Sequence, residues 1–256
     1  MKFEGLAQDL KSLVSVVKSG TSLLGGIRDA AKVAVAGRSF MEGVGYAMHV
    51  TVDGRDQADA DSAMKIVREI ANRQQGKEIE NSLPKLVRAD PFQPTNRLLG
   101  PEGQRWVPIH AMVPHSRLMP MLRAVYQYFD AHRHVTEQHG IEWGNLYSTV
   151  GTTAMLVEPT FFWPDSHYEL HRRHIQPSHY AKLKQFPTNL DARNSMAKIR
   201  KDLAKIFSEY GSAHLQVGKM YPYRESREPQ TYALLQAIKD YVDPKHLMNP
   251  GSLGLR

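Results

Sequence analysis

The 256-residue chain contains no cysteine. Disulfides, thiolate zinc sites and cysteine-held iron–sulfur clusters are therefore excluded, and the cytoplasm is the expected location. Long apolar runs are also missing, and nothing approaches the roughly 18 residues that a membrane span requires. The opening stretch "MKFEGLAQDLKSLVSVVKSG" has a lysine but no apolar core ending in a small-residue cleavage site. It reads as an amphipathic helix rather than a signal peptide. Nucleotide-binding motifs are lacking as well. "SGTSLLGG" has no Walker lysine and lies in an apolar helical pattern, and no G-x-G-x-x-G follows a strand. Without a G-x-S-x-G elbow, serine hydrolase chemistry is not expected.

Charge of one sign is not lacking, but it is dispersed. Basic residues exceed acidic ones by 33 to 26, giving a formal charge of +7. The densest run, "KIRKDLAKIF", mixes both signs and reads as a solvated helix face. Nucleic acid is thus not an expected partner, whereas a general attraction for small anions is. A hydrophobic content of 41% is enough for a sizeable core.

Four helices are expected. "DSAMKIVREIANRQQG" puts Ala63, Val67, Ile70 and Ala71 on one face. "PMLRAVYQYFDAH" groups Met121, Leu122, Val125 and Phe129, with Pro120 suited to the first turn. "TNLDARNSMAKIRKDLAKIFSEYG" opens with a Thr188/Asp191 capping box and stops at Gly211. "EPQTYALLQAIKDYV" starts at Pro229 and stops before Pro244. Strands are expected in "YAMHVTVDG", "RWVPIHAMV", "TAMLVEPTFFW" and "AHLQVGKMY". The pattern predicts an α+β fold, an antiparallel sheet with helices packed on one face and ferredoxin-like elements.

Alternation also says what the other face carries. In "RWVPIHAMV", Val107, Ile109, Ala111 and Val113 share one side, so His110 is aimed to the opposite side. In "AHLQVGKMY", His214, Gln216 and Gly218 align together. Each histidine alone is readily a satisfied core or interface residue. Two on separate strands, with His115 close in sequence, make a site the stronger reading. His110 and His115 could be two metal ligands, with Glu158 or His214 as a third. Without H-E-x-x-H or a cysteine cluster, however, no metal is expected.

"AIKDYVDPKHLMNPGSLG" resembles the C-terminal signature of FAD-linked oxidoreductases of the vanillyl-alcohol oxidase / p-cresol methylhydroxylase type, a group close to the glycolate oxidase and D-lactate dehydrogenase flavoproteins. The segments "FEGL", "DPF", "GPEGQRWVPIHAMVPHSR", "VEPTFFWPD" and "HLQVGKMYPY" agree with it. The resemblance implies the cap, or substrate domain, over residues 1–225. It also implies a C-terminal helix and return segment over 226–256, directed toward an FAD domain. The Gly-rich loop that holds the FAD pyrophosphate in that family has no counterpart in the sequence. An FAD-domain polypeptide or N-terminal half is therefore an expected partner, and the chain alone is expected to be incomplete as an oxidoreductase and to self-associate.

The implied chemistry is oxidation of a small anionic or phenolic alcohol, such as a 2-hydroxy acid or a para-hydroxybenzylic alcohol, with noncovalent FAD. His110, as base, and His214 and Tyr221 are the catalytic candidates. His115, Gln216, Lys219, Tyr223 and Glu158 are the substrate-binding candidates, and Asn249 and Gly251 the cofactor-binding ones. The rival reading is a non-enzymatic binding or assembly subunit with an oxidase-cap-like fold.

Overall fold

The computed structural model describes residues 45–79, 92, 94–216 and 218–255. The expected N-terminal amphipathic helix, "SGTSLLGG" and "FEGL" lie outside the described residues, as does most of "DPF". The chain divides into two compact units, Met1–Gln93 and Pro94–Arg256.

In the first unit, the described residues form one helix, α1 (Gln57–Arg73), capped by the Asp56 side chain accepting from the Asp59 amide. None of its residues is buried among the described part, and Ile66 and Ile70 are about half exposed. "YAMHVTVDG" forms no strand here, and the alternating pattern finds no ladder partner among the described residues. A strand is made by pairing, so alternation alone does not produce one.

The second unit carries β1 (Arg105–Pro108), β2 (Ala111–Pro114), α2 (His115–Ala131), α3 (Arg133–Gln138), β3 (Glu142–Val150), β4 (Ala154–Trp163), α4 (Glu169–His174), α5 (Pro177–Tyr180), α6 (Leu190–Glu209) and α7 (Pro229–Val242). The sheet is antiparallel throughout, with β4 central, β3 along one side and β1 and β2 end to end along the other. Register carries over unbroken from Pro108↔Thr160 to Ala111↔Val157, so β1 and β2 are one interrupted strand. The interruption sits where Pro159 lies in the facing strand. A proline has no N–H to donate, although its carbonyl still accepts from the Ile109 amide at 3.0 Å.

One face of this sheet is covered by α2 and α6. Ile109, Ala111, Val113, Val157 and Phe161 pack in one cluster with Met121, Val125 and Phe129 of α2 and with Met196, Ile199, Leu203 and Phe207 of α6. The α+β architecture, with its antiparallel sheet and helical layer, is thus as expected. Several local expectations are corrected. Pro120 lies inside α2, not in its first turn, because the helix already begins at His115. The N-cap of α6 is Asn189, whose side chain accepts from the Ala192 amide at 3.0 Å, so Thr188 is not the cap. Strand β3 was not anticipated: only every second residue is half-buried and none is fully buried, so its apolar signal is faint. Conversely, "AHLQVGKMY" is no strand. Its described residues make a single bridge, Met112↔Ala213, and then turn away.

Candidate functional site

The site is built on that departure from the sheet. Backbone groups of residues 110 and 112 point away from β4, because the amide of Ile109, one residue before, points toward it. At Met112 the outward N–H and C=O both pair with Ala213, at 2.8 and 2.9 Å. One pleat further on, the partner strand is gone and side chains take over. The His110 amide donates to Tyr221 Oη at 3.0 Å, and the His110 carbonyl lies 2.9 Å from His214 Nδ1. The Tyr221 and His214 rings stack with centroids 3.9 Å apart. Two side chains therefore finish a ladder that the backbone of 213–221 leaves incomplete.

His110 itself is 1% exposed. Its Nε2 accepts from the Leu215 amide at 2.7 Å, and its Nδ1 is 3.0 Å from Tyr221 Oη. It is sealed by the segment after α6 and does not open to a solvent-filled face. Burial lowers its pKa, and His214 adds to the effect. Burial likewise drives the His214 imidazole down, helped by Arg227 and opposed by the bond to the His110 carbonyl. Burial raises the Tyr221 hydroxyl and Glu158 adds to that, whereas the His110 amide and Arg200 pull it down.

Beside these rings lies a cleft of about 70 Å³ lined by Ala213, His214, Gln216, Gly218, Tyr221, Tyr223, Arg227 and Leu253. Its far lip is the end of the chain. Asp243, buried after α7, accepts from Lys239 Nζ and from the Leu247 and Met248 amides, which folds "DPKHLMN" into a turn. Asn249 and Gly251 then take left-handed backbone conformations, with φ of 46° and 83°. This turn brings the Leu253 amide to the Gly218 carbonyl at 2.8 Å. A side chain at Gly251 would start 3.7 Å from Lys219 Nζ.

Of the candidates read from the sequence, His110, His214, Tyr221, Gln216 and Tyr223 come together. Lys219, Asn249 and Gly251 stand at the lip. His115 does not join them: on the first turn of α2 its Nε2 is 3.3 Å from the Thr152 carbonyl, away from the cleft lining. Glu158 shares the sheet face of His110, directly across the ladder, but does not line the cleft, and burial raises its pKa. The role of His110 as a base is corrected, because both of its ring nitrogens are already engaged.

Two arginines were missed. Arg227 lines the cleft with its guanidinium 5.1 Å over the Tyr223 ring. Arg200, read as part of a solvated face, is half-buried, has a buried Nε without a partner among the described residues, and lies near enough to influence Tyr221. Its signal was its spacing, four residues after Met196 and three before Leu203, on the apolar side of α6. Among the described residues no metal-ligating cluster is present.

The cleft is several-fold smaller than the roughly 300–1,000 Å³ pockets that enclose small-molecule ligands. It cannot enclose an isoalloxazine, and these residues do not form an FAD site by themselves.

A family model described as FAD linked oxidases, C-terminal domain, matches residues 185–253. The match takes in α6, the cleft segment, α7 and the return turn. No curated protein matches the chain. Among solved structures, alkyldihydroxyacetonephosphate synthase is similar at 13% identity and a TM-score of 0.37, over 76% of this chain and 29% of that chain. The chain thus spans less than a third of that protein's length. Residues 185–253 are similar to the C-terminal domain of FAD-linked oxidases, without distinction between the vanillyl-alcohol oxidase and glycolate oxidase branches.

Proposed function

We propose that this chain forms the substrate-side wall of an FAD-dependent oxidoreductase that oxidises a small anionic or phenolic alcohol. The observation that carries this reading is the convergence of His214, Gln216, Tyr221, Tyr223 and Arg227 on one cleft, all within the segment matched to FAD-linked oxidases. FAD, when bound, supplies the hydride acceptor. The protein's own part is to hold the substrate oxygen and to move one proton. Tyr221 and Arg227 offer hydrogen-bond donors to an anionic oxygen, and Gln216 and Tyr223 close the sides. His214 takes the hydroxyl proton at Nε2, the nitrogen not engaged by the His110 carbonyl. Burial keeps that imidazole neutral and so able to accept. Asn249 and Gly251, exposed on the lip with the Lys219 side chain close to Gly251, would face a noncovalent flavin held by another domain.

The matched family is by its description a C-terminal domain, so a polypeptide bearing the flavin is the proposed partner. The test is anaerobic bleaching of flavin absorbance after mixing this chain, an FAD-domain polypeptide, and a panel of 2-hydroxy acids and para-hydroxybenzylic alcohols. Reduction by one class is the expected result, and reduction by neither removes the proposal. The rival, a docking subunit without chemistry, draws support from α7, where Leu234, Ile238, Tyr241 and Val242 are all more than half exposed. A colourless complex inert to every substrate would favour it.

A further inference from the structure

The hydrogen bonds of His110 fix where the protons of the cleft lie. The Leu215 amide donates to His110 Nε2 at 2.7 Å, and only a bare ring nitrogen accepts a hydrogen bond. A neutral His110 therefore carries its proton on Nδ1, which then donates to Tyr221 Oη. The same oxygen already accepts from the His110 amide. With two donors aimed at it, Tyr221 cannot give its own proton back to His110. Among the described residues that hydroxyl proton has no acceptor, although Tyr221 is only 9% exposed and lines the cleft. A buried O–H without an acceptor is costly, and a ligand oxygen would relieve it. His214 is set in the opposite sense. Its Nδ1–H is spent on the His110 carbonyl, so Nε2 is a bare acceptor, with only Ser212 Oγ near it at 3.5 Å.

We infer that His110 is a positioning residue that sets the polarity of the cleft, fixing Tyr221 as a hydrogen-bond donor and His214 as an acceptor toward the ligand. Three separate groups of one residue do this: the amide, the carbonyl and the imidazole Nδ1. The fourth, Nε2, anchors the segment that carries His214. Donor and acceptor belong to stacked rings whose centroids are 3.9 Å apart, and both residues line the cleft. The complementary ligand end presents both an acceptor oxygen and a donor O–H. The choice of an alcohol as ligand rests on the proposed function, but the proton assignment rests on geometry alone.

The test uses the full chain without flavin. With histidine labelled with ¹⁵N, long-range proton–nitrogen correlation at neutral pH is expected to show His110 protonated at Nδ1 and bare at Nε2, and His214 likewise. An Nε2-protonated form of either residue would overturn the inference, and this measurement needs no variant. Acetate and glycolate then serve as probes, since they differ in one hydroxyl. Glycolate is expected to perturb the His214 Nε2 signal and to bind more tightly than acetate. Tyr221→Phe should weaken both by about tenfold. His110→Asn, judged folded by its remaining spectrum, keeps the backbone carbonyl that sets His214 but loses the imidazole Nδ1 donor that fixes Tyr221, so it should weaken both probes several-fold while the preference for glycolate persists. Equal binding of the two probes by the unaltered chain, or undiminished affinity for both in His110→Asn, would refute the positioning role. Failure of the chain to support flavin reduction would leave every one of these readouts intact.

Discussion

Burial holds the imidazoles of His110, His171 and His214 below their ordinary pKa. For His171 the value falls to about 4, through burial first and then the charges of Arg105 and His167. Each group binds its proton more readily in the unfolded chain, so the unfolded state gains protons first as the solution is acidified. The stability tied to these residues is complete above their ordinary value near 6.5 and is lost as pH falls. For His171 the loss extends down to about pH 4. Each histidine contributes a slope of at most about 1.4 kcal/mol per pH unit. The urea midpoint of the chain is therefore expected to drop between pH 6.5 and 4, less steeply in His171→Asn, and a flat profile would contradict neutral burial. Asp165 behaves in the opposite way to an isolated buried acid. Burial would raise its pKa, but Arg193 and the amides of Asn189 and Ser166 hold the carboxyl below the ordinary range. In the sequence, Asp165 was only part of "VEPTFFWPD". Its partners Arg105 and Arg193 stand 60 and 28 residues away, beyond the reach of any local pattern.

Helix α6 shows at the next scale what sequence patterns capture and what they miss. Of its apolar repeat Met196, Ile199, Leu203, Ile206 and Tyr210, the first three are buried against the sheet as the period of 3.6 requires, whereas Ile206 and Tyr210 are only partly buried and Phe207 enters the core. Its start is displaced by one residue, because Asn189 and Thr188 both have capping oxygens and only backbone geometry chooses between them. Thr188 is engaged elsewhere, its Oγ1 lying 3.0 Å from Ser166 Oγ. Asn189→Ala is thus expected to destabilise the chain by about 1 kcal/mol, read as a shift of the urea midpoint without a change of slope. Strand β3 escaped notice because a strand exposed along most of its length needs little apolar signal. The segment after α6 was misread for the converse reason: alternation in "AHLQVGKMY" was real, but the sheet supplies an edge for only one of its residues. The alternation placed His110 away from the Val/Ile side and grouped His214 with Gln216, and the structure brings these residues together by a turn and not by a second strand.

For the molecule as a whole, the cleft sets a limit on what the chain does alone. The candidate site among the described residues, a cleft of about 70 Å³, offers FAD no enclosure, so titration of the purified chain with FAD is expected to leave flavin fluorescence essentially unquenched. Addition of an FAD-domain polypeptide should restore quenching, and tight stoichiometric binding by the chain alone would show that a site has been overlooked. The layered fold was legible because periodicity is a local property. The proton arrangement of the cleft was not, since it depends on Tyr221 meeting His110 across 111 residues. That meeting has a spectroscopic use. The His110 amide lies in the interruption between β1 and β2, and its hydrogen-bond acceptor is a side-chain hydroxyl at the cleft and not another strand. Any ligand that draws on Tyr221 must change the rate at which this one amide trades its proton for deuterium, while its neighbour Ile109, bonded to Pro159, stays unchanged. The fold thus reports occupancy of the cleft through a single backbone amide.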